Sequence, residues 1–366
     1  MPEGAELEEV YFNARHYPFE LKAALRDEYK GDARLEAIWE LCVNSQHYGV
    51  QEVIQDCMER EKGFYLGDGC YTALTHLLLS GDDSMARKLI DDAFESTFIC
   101  DTAVTCMDCS FVQEIAEFPL IMVFLILWHY RVTGDLNYLA CNYEKAKKLV
   151  DAYKAHYEQD YLISNLDKWC VVEWPDNFRD GYDVDISAGK ICEEPHSVMN
   201  SYYIEAVRTL NKAAQILGKE KYRDEKPLVQ AFIKAFYDNE RHLFTDSAVT
   251  SHTSLISNCF AFAFSLCPDL ISEENIVKMI TERGISGVSM FTVFPVLMGL
   301  VRRGNKELIR QLLCDEGAWL RMLGEGATTT FESWGKKTKW NTSLFHLTLS
   351  YAAVFLSDTD LNSLFE

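Results

Sequence analysis

From about Leu35 to Phe355 the apolar residues of this chain recur at helical spacing almost without a break. Leu35, Ile38, Trp39, Leu41 and Cys42 fall at i, i+3, i+4 positions, as do Leu136, Leu139, Tyr143, Ala146, Leu149 and Val150. Stretches of the same period cover about 69–79, 83–98, 115–132, 194–217, 225–237, 253–265, 273–282, 289–303, 305–313 and 341–356. Gly81-Asp82-Asp83-Ser84, Gly134-Asp135, Gly218-Lys219, Ser272-Glu273-Glu274 and Gly304-Asn305 supply the stops and starts between them. Alternation suggests strands only at Glu9 to Phe12 and Leu243 to Thr245. The chain is therefore all-α, with about a dozen apolar stripes to bury and short connections between them.

Helices in antiparallel pairs either stack into a solenoid or close into a toroid. A solenoid carries a repeated sequence motif, and none recurs here. A toroid has a concave end whose rim loops are free to do chemistry. The boundaries expected are a lead-in over 1–30, one helical domain over 31–357 and a tail over 358–366.

Composition narrows the partner. Against 35 Lys and Arg stand 56 Asp and Glu, a net charge of −21, which repels a phosphate backbone; no basic cluster offsets it, so nucleic acid is excluded. A small, neutral ligand fits better. The longest apolar run, Phe118 to Trp128, has 11 residues and an internal proline, short of the roughly 20 that span a bilayer. The acidic opening Met1-Pro2-Glu3-Gly4-Ala5-Glu6 lacks the apolar core of a secretory leader. A cytoplasmic chain with no membrane partner is expected, its twelve cysteines reduced. Cys106-Met107-Asp108-Cys109 has no second pair or histidines at metal spacing, and neither a metal nor another cofactor is expected. Gly63-Phe64-Tyr65-Leu66-Gly67 lacks the Lys-Ser/Thr ending of a phosphate loop.

Three irregular segments, 63–68, 170–191 and 324–340, are rich in Trp, Asp, Glu and Gly. Around the first, Asp56, Glu59, Glu61 and Asp68 crowd thirteen residues together with Arg60, Lys62 and Tyr65. The second reads Glu173-Trp174-Pro175-Asp176-Asn177-Phe178-Arg179-Asp180-Gly181-Tyr182-Asp183. Sugar sites use such a mixture, because aromatic faces stack on C–H surfaces while carboxylates and amides bond hydroxyls. The third, Gly324-Glu325-Gly326-Ala327-Thr328-Thr329-Thr330-Phe331-Glu332-Ser333-Trp334, presents one carboxylate between aromatic walls, a placement suited to proton transfer. Taken singly, each also reads as an ordinary helix end or surface loop. Together they suit glycoside hydrolysis, which needs one carboxyl acid and one base or nucleophile across a sugar.

At these residues the chain resembles the bacterial α-L-rhamnosidases, over nearly its whole length from Ala14-Arg15-His16-Tyr17-Pro18-Phe19 to Phe355. The resemblance rests on Asp56-Cys57-x-x-Arg60-Glu61-Lys62-Gly63 with Tyr65-Leu66-Gly67-Asp68, on Trp174-Pro175 with Arg179-Asp180-Gly181-Tyr182-Asp183, and on Gly326-Ala327-Thr328-Thr329 leading to Glu332 and Trp334. It implies an (α/α)6 barrel and an inverting hydrolase of terminal α-L-rhamnosides. Glu61 matches the general acid and Glu332 the base that activates water. Asp56, Arg60 and Asp68 match binders of sugar hydroxyls, Tyr65 and Trp174 walls of the subsite, and His346 a histidine near the sugar. Asp180 and Trp334 complete the expected sugar contacts.

The chain departs from the family pattern at Met58, where a proline is usual, and at Leu347-Thr348-Leu349-Ser350, where a Gly/Trp/Ser-rich stretch is usual. Glu59, two residues from Glu61, is a second candidate acid. The β-sandwich domains that normally flank the family's barrel are missing from this chain, which is expected to be either a barrel-only member or the catalytic domain cut from a longer protein. Inversion needs carboxyl groups roughly 6.5–9.5 Å apart. Burial against Phe64 and Tyr65 and the nearby Asp56 would keep Glu61 protonated, while Arg60 would pull the other way. Two other readings keep the fold: a hydrolase of a different sugar, and a barrel that only binds carbohydrate or serves as a scaffold.

Overall fold

The computed structural model describes residues 6, 8–109, 112–187 and 189–366. Fourteen α-helices hold about half of them: α1 Ala33–Gly49, α2 Leu66–Ser80, α3 Ser84–Glu95, α4 Phe118–Thr133, α5 Leu136–Tyr157, α6 Ser197–Ile216 and α7 Lys226–Phe236 in the first two thirds. Then come α8 Leu255–Ala263, α9 Leu270–Arg283, α10 Met290–Arg302, α11 Lys306–Leu313, α12 Trp319–Gly324, α13 Ala352–Leu356 and α14 Leu361–Phe365.

Burial sorts them into two shells. Fourteen of the fifteen residues of α2 and all nine of α8 are buried, whereas α7 buries three of eleven and α9 three of fourteen. A helix apolar on all sides must be surrounded, and one with a single apolar stripe lies on the outside. The inner helices α2, α4, α6, α8 and α10 each pack on the next, and the 3-10 turn Thr348–Tyr351 running into α13 closes the ring between α10 and α2. Outside them lie α1, α3, α5, α7, α9 and α11. This is an (α/α)6 barrel. Its centre is aromatic: Phe294 meets Tyr71, Trp128, Tyr351 and Phe355 at centroid distances of 4.5–5.5 Å.

The inner segments all begin at one end of the barrel and finish at the other. The starts of α2, α4 and α10 border one open pocket. The ends of α4, α6 and α10 gather at the far end, where α14 packs against α4 and α10. Parallel inner helices aim their positive dipole ends at the pocket, which favours carboxylates there. The turn Gly134-Asp135 shows how the outer returns are made. Gly134 takes φ +70° and donates to the Tyr130 carbonyl, and the Asp135 side chain then accepts from Tyr138 N–H.

Several sequence expectations need correction. Residues 9–12 form no strand; their side chains are exposed and irregular. Leu243–Phe244 is a strand, paired with Tyr237–Asp238, and a second hairpin joins Glu158–Gln159 to Leu162–Ile163. The helix expected over 341–356 exists only from 348 onward. Its first part spends its backbone elsewhere: Met58 N–H donates to the Phe345 carbonyl, His346 N–H to Thr330 and Leu347 N–H to Asp56. Residues 358–366, expected as a tail, hold α14, whose Leu361, Leu364 and Phe365 are buried. No helix of the described residues is long and apolar enough to cross a membrane.

Candidate active site

The open pocket at the helix starts measures about 520 Å³. Asp56, Arg60, Glu61, Asp68 and His346 form its polar part; Tyr65, Ile115, Phe118, Trp169, Val171, Trp174 and Phe291 form the apolar part. Three carboxylates therefore share one small cavity.

Asp56 and Asp68 lie on its floor, both buried. One Asp56 oxygen accepts from Gly63 N–H at 2.8 Å, tying off the loop between them. Burial and the neighbouring Glu61 push Asp56 up to about 6, against hydrogen bonds from Cys57 and Gly63. Burial pushes Asp68 up to about 7, although the Thr348 hydroxyl donates to it at 2.6 Å. His346 Nε2 stands 3.8 Å from Asp56 and 3.9 Å from Asp68. Burial pulls this imidazole down to about 4, against the attraction of Glu332, so it is neutral at pH 7. Glu61 differs: its side chain is 45% exposed, at the mouth, and accepts from Arg60 Nε at 3.0 Å.

Glu332 does not border the pocket. It is fully buried behind Arg60 and Trp174 and accepts five hydrogen bonds. Arg60 grips it bidentately, Nη1 to Oε2 at 2.6 Å and Nη2 to Oε1 at 2.8 Å. Trp174 Nε1, Lys339 Nζ and Ser343 N–H complete the set at 2.8, 2.6 and 2.9 Å. Burial alone would raise this carboxyl; Arg60, His346 and Lys339 outweigh it and hold it well below the usual carboxylate range. Because one guanidinium touches Glu61 and Glu332 together, their nearest oxygens stay within the roughly 9.5 Å upper limit of inverting hydrolases.

Two buried carboxylates to which sequence reading gave no role hold the aromatic loop in place. Glu117 accepts from Val171 and Val172 N–H at 3.2 and 2.9 Å. Glu173 accepts from Trp174, Ser289, Phe291 and Thr292 N–H at 2.8–3.1 Å, capping α10 and locking Trp174 to it. Glu117 carries no sequence signal, since an isolated Glu reads as surface, and Glu173 is legible only as one member of the acidic and aromatic segment that it opens. Lys339 was passed over as well; its ammonium also lies 4.6 Å from the Trp174 ring centre.

Other expected site residues lie elsewhere. Asp180 caps α8 by accepting from Leu255 N–H at 2.6 Å and pairs with Arg283. Trp334 is core, edge-to-face with Trp319 at 5.0 Å between ring centres, with its indole N–H on the Val288 carbonyl. Glu59 turns away from the pocket and accepts from Leu344 N–H at 2.7 Å. Cys106, Asp108 and Cys109 do converge, with ligand atoms within 4.8 Å of one another. Cys106 Sγ already donates to Asp108, which also accepts from Phe64 N–H.

Residues 31–359 match the profile of the bacterial α-L-rhamnosidase six-hairpin glycosidase domain. A curated α-L-rhamnosidase of Formosa agariphila is 26% identical over 235 residues, 59% of this chain and 23% of that protein. The chain thus spans about a quarter of that relative's length. Among solved structures, a family 78 rhamnosidase of a Bacillus species superposes with TM-score 0.78 at 17% identity, over 93% of this chain and 36% of that one. A family 63 mannosylglycerate hydrolase of Thermus thermophilus superposes with TM-score 0.61 at 11% identity, over 87% of this chain and 99% of its own. At these identities the structural likeness speaks for the fold.

Proposed function

Because the chain belongs to the bacterial α-L-rhamnosidase six-hairpin glycosidase family, we propose that it hydrolyses terminal α-L-rhamnosides with inversion. The observation that carries this reading is the divided pocket. Rhamnose is a 6-deoxy sugar, polar over its hydroxyls and apolar at its methyl group. Asp56, Asp68, Arg60 and His346 suit the hydroxyls, and the Phe118, Phe291 and Ile115 wall suits the methyl.

Glu61 is the general acid of this proposal. Of the three pocket carboxylates it alone stands at the mouth, where a leaving group departs. Glu332 is the general base, and its clamp sets the condition for that role. A base must be ionised, which the clamp ensures; it must also have a free lone pair, which five donors deny. Lys339, at the end of a flexible side chain, is the donor that can withdraw most cheaply when sugar enters. Arg60 and Trp174 would stay and orient the carboxylate.

Occlusion of Glu332 favours a second reading, in which it only anchors Arg60 and Trp174 and another group activates water. Release of p-nitrophenol from p-nitrophenyl α-L-rhamnoside separates the two. With Glu332 as base, Glu332→Ala loses kcat by roughly 10²–10⁴, and azide restores turnover as an inverted glycosyl azide. With Glu332 as anchor, KM rises and azide restores nothing. Glu61→Gln loses kcat in either case, and NMR of fresh product reads the inversion directly. Turnover of other aryl glycosides but not rhamnosides would keep the chemistry and change the sugar. No turnover on any would leave a barrel that binds.

A further inference from the structure

The loop carrying Lys339 ends in a residue that no role above employs. Trp340 is 94% exposed, although it neighbours the most tightly bonded group in the site. Both of its neighbours are bolted down. Lys339 Nζ donates to Glu332 and faces the Trp174 ring, and the Asn341 carbonyl accepts from Arg60 Nη1 at 2.7 Å. The Thr342 hydroxyl accepts from Lys339 N–H at 2.9 Å, closing a tight turn with Trp340 at its tip. On the other side, Asn177 reaches the Thr338 carbonyl at 3.5 Å.

A single exposed apolar residue usually needs no explanation. This one is different in being presented on a braced turn, next to Asn341, whose carbonyl bonds the guanidinium that links Glu61 and Glu332. Glu61 stands at the mouth of the pocket, so with the terminal sugar seated inside, the leaving group lies outside it, past Glu61. An exposed indole on a turn whose next residue bonds the pocket's Arg60 is a ready stacking face for it.

We propose that Trp340 is a second binding site, a platform for the ring of the leaving group beyond the scissile bond. Its ligand is a ring with an apolar face, either the C–H face of a second sugar or a flat aromatic aglycone. The inference rests on the hydrolase reading and deepens it. It also explains why the turn is braced from both sides: a stacking surface must not swing.

The test compares Trp340→Ala and Trp340→Phe with wild type on three substrates. α-L-Rhamnosyl fluoride has a leaving group without a ring, phenyl α-L-rhamnoside carries an aromatic one, and a disaccharide with terminal rhamnose carries a sugar. Trp340→Ala is expected to lower kcat/KM roughly tenfold on the substrates with ringed leaving groups and to leave the fluoride unchanged; Trp340→Phe recovers part of the loss. A drop confined to the phenyl substrate or to the disaccharide identifies which ring is preferred. Equal values on all three substrates, or an equal drop on all three, overturn the platform. If wild type turns over no rhamnoside, the sugar assignment fails and the platform is read by binding. Tryptophan fluorescence titrated with phenyl and methyl glycosides then decides: a phenyl-specific change lost in Trp340→Ala supports it, and an unaltered change overturns it.

Discussion

At the scale of single residues, the Arg60–Glu332 pair sets the terms. A lysine at position 60 could not bond both Glu332 oxygens, the Asn341 carbonyl and Glu61 at once. Arg60→Lys is expected to cost about a hundredfold in kcat/KM on the rhamnoside. Arg60→Ala leaves a buried carboxylate short of its main counter-charge and should lower stability by roughly 3 kcal/mol, read by urea unfolding. Asp68 gives a pH test. Its folded value, about 7, lies above that of an unfolded aspartate. Between about pH 4 and 7 the folded protein therefore holds a proton that the unfolded chain has lost, and stability falls as pH rises. Asp68→Asn removes that penalty. Its stability relative to wild type should grow from pH 4 to 7 and stay level above, by on the order of 2–4 kcal/mol. His346, held at about 4, works in the opposite direction between about pH 4 and 6.5, but is common to both proteins and cancels in the comparison. Legibility at this scale follows chain locality. Asp56, Arg60, Glu61 and Asp68 lie within one motif and arrive in the site together. Asp180 and Trp334 lie within motifs too, but each motif also builds scaffold, and only the fold says which side chain faces which way.

At the scale of elements, the rim depends on how α10 begins. Glu173 bonds three N–H groups at its start and the Trp174 N–H, so one side chain fixes both a wall of the pocket and the helix behind it. Glu173→Ala should cost roughly 2–4 kcal/mol and weaken sugar binding together with stability, measured by thermal melts and KM on the same sample. Farther along α10, Gly299 permits close approach: a Cβ there would stand 2.8 Å from the Ala263 backbone of α8. Gly299→Ala is expected to destabilise by roughly 1–3 kcal/mol without altering KM. The helices were legible because their apolar stripes are long. The hairpin strands are two residues each, too short for alternation to register. In the first hairpin, Asp160 and Tyr161 both take positive φ without the glycine that usually marks such a turn. Residues 341–347 carried a helical pattern, but their N–H and C=O groups were claimed by loops far away in sequence.

At the scale of the whole molecule, ring closure was within reach of the sequence only as one of two packings of the same helix pairs. Absence of a repeat pointed to it, and the three motifs made it specific. What periodicity could not say is which six helices turn inward; that emerges from the buried faces of α2 and α8 set against the single stripes of α7 and α9. The ring is also stitched where it meets itself. Arg26 N–H donates to the Leu356 carbonyl, Asp358 N–H to Ala24, and Leu25 bridges Ser357. A hoop differs from a stack in how it fails, since it has no terminal unit from which to unravel. Cleaving the backbone at Gly218-Lys219, between α6 and α7, should therefore leave two pieces that stay associated and keep the rim intact, each completing the circle for the other. Size-exclusion chromatography of the cleaved protein reads this as a single peak at the intact mass. Separation into two species would mean that the stitching does not carry the load.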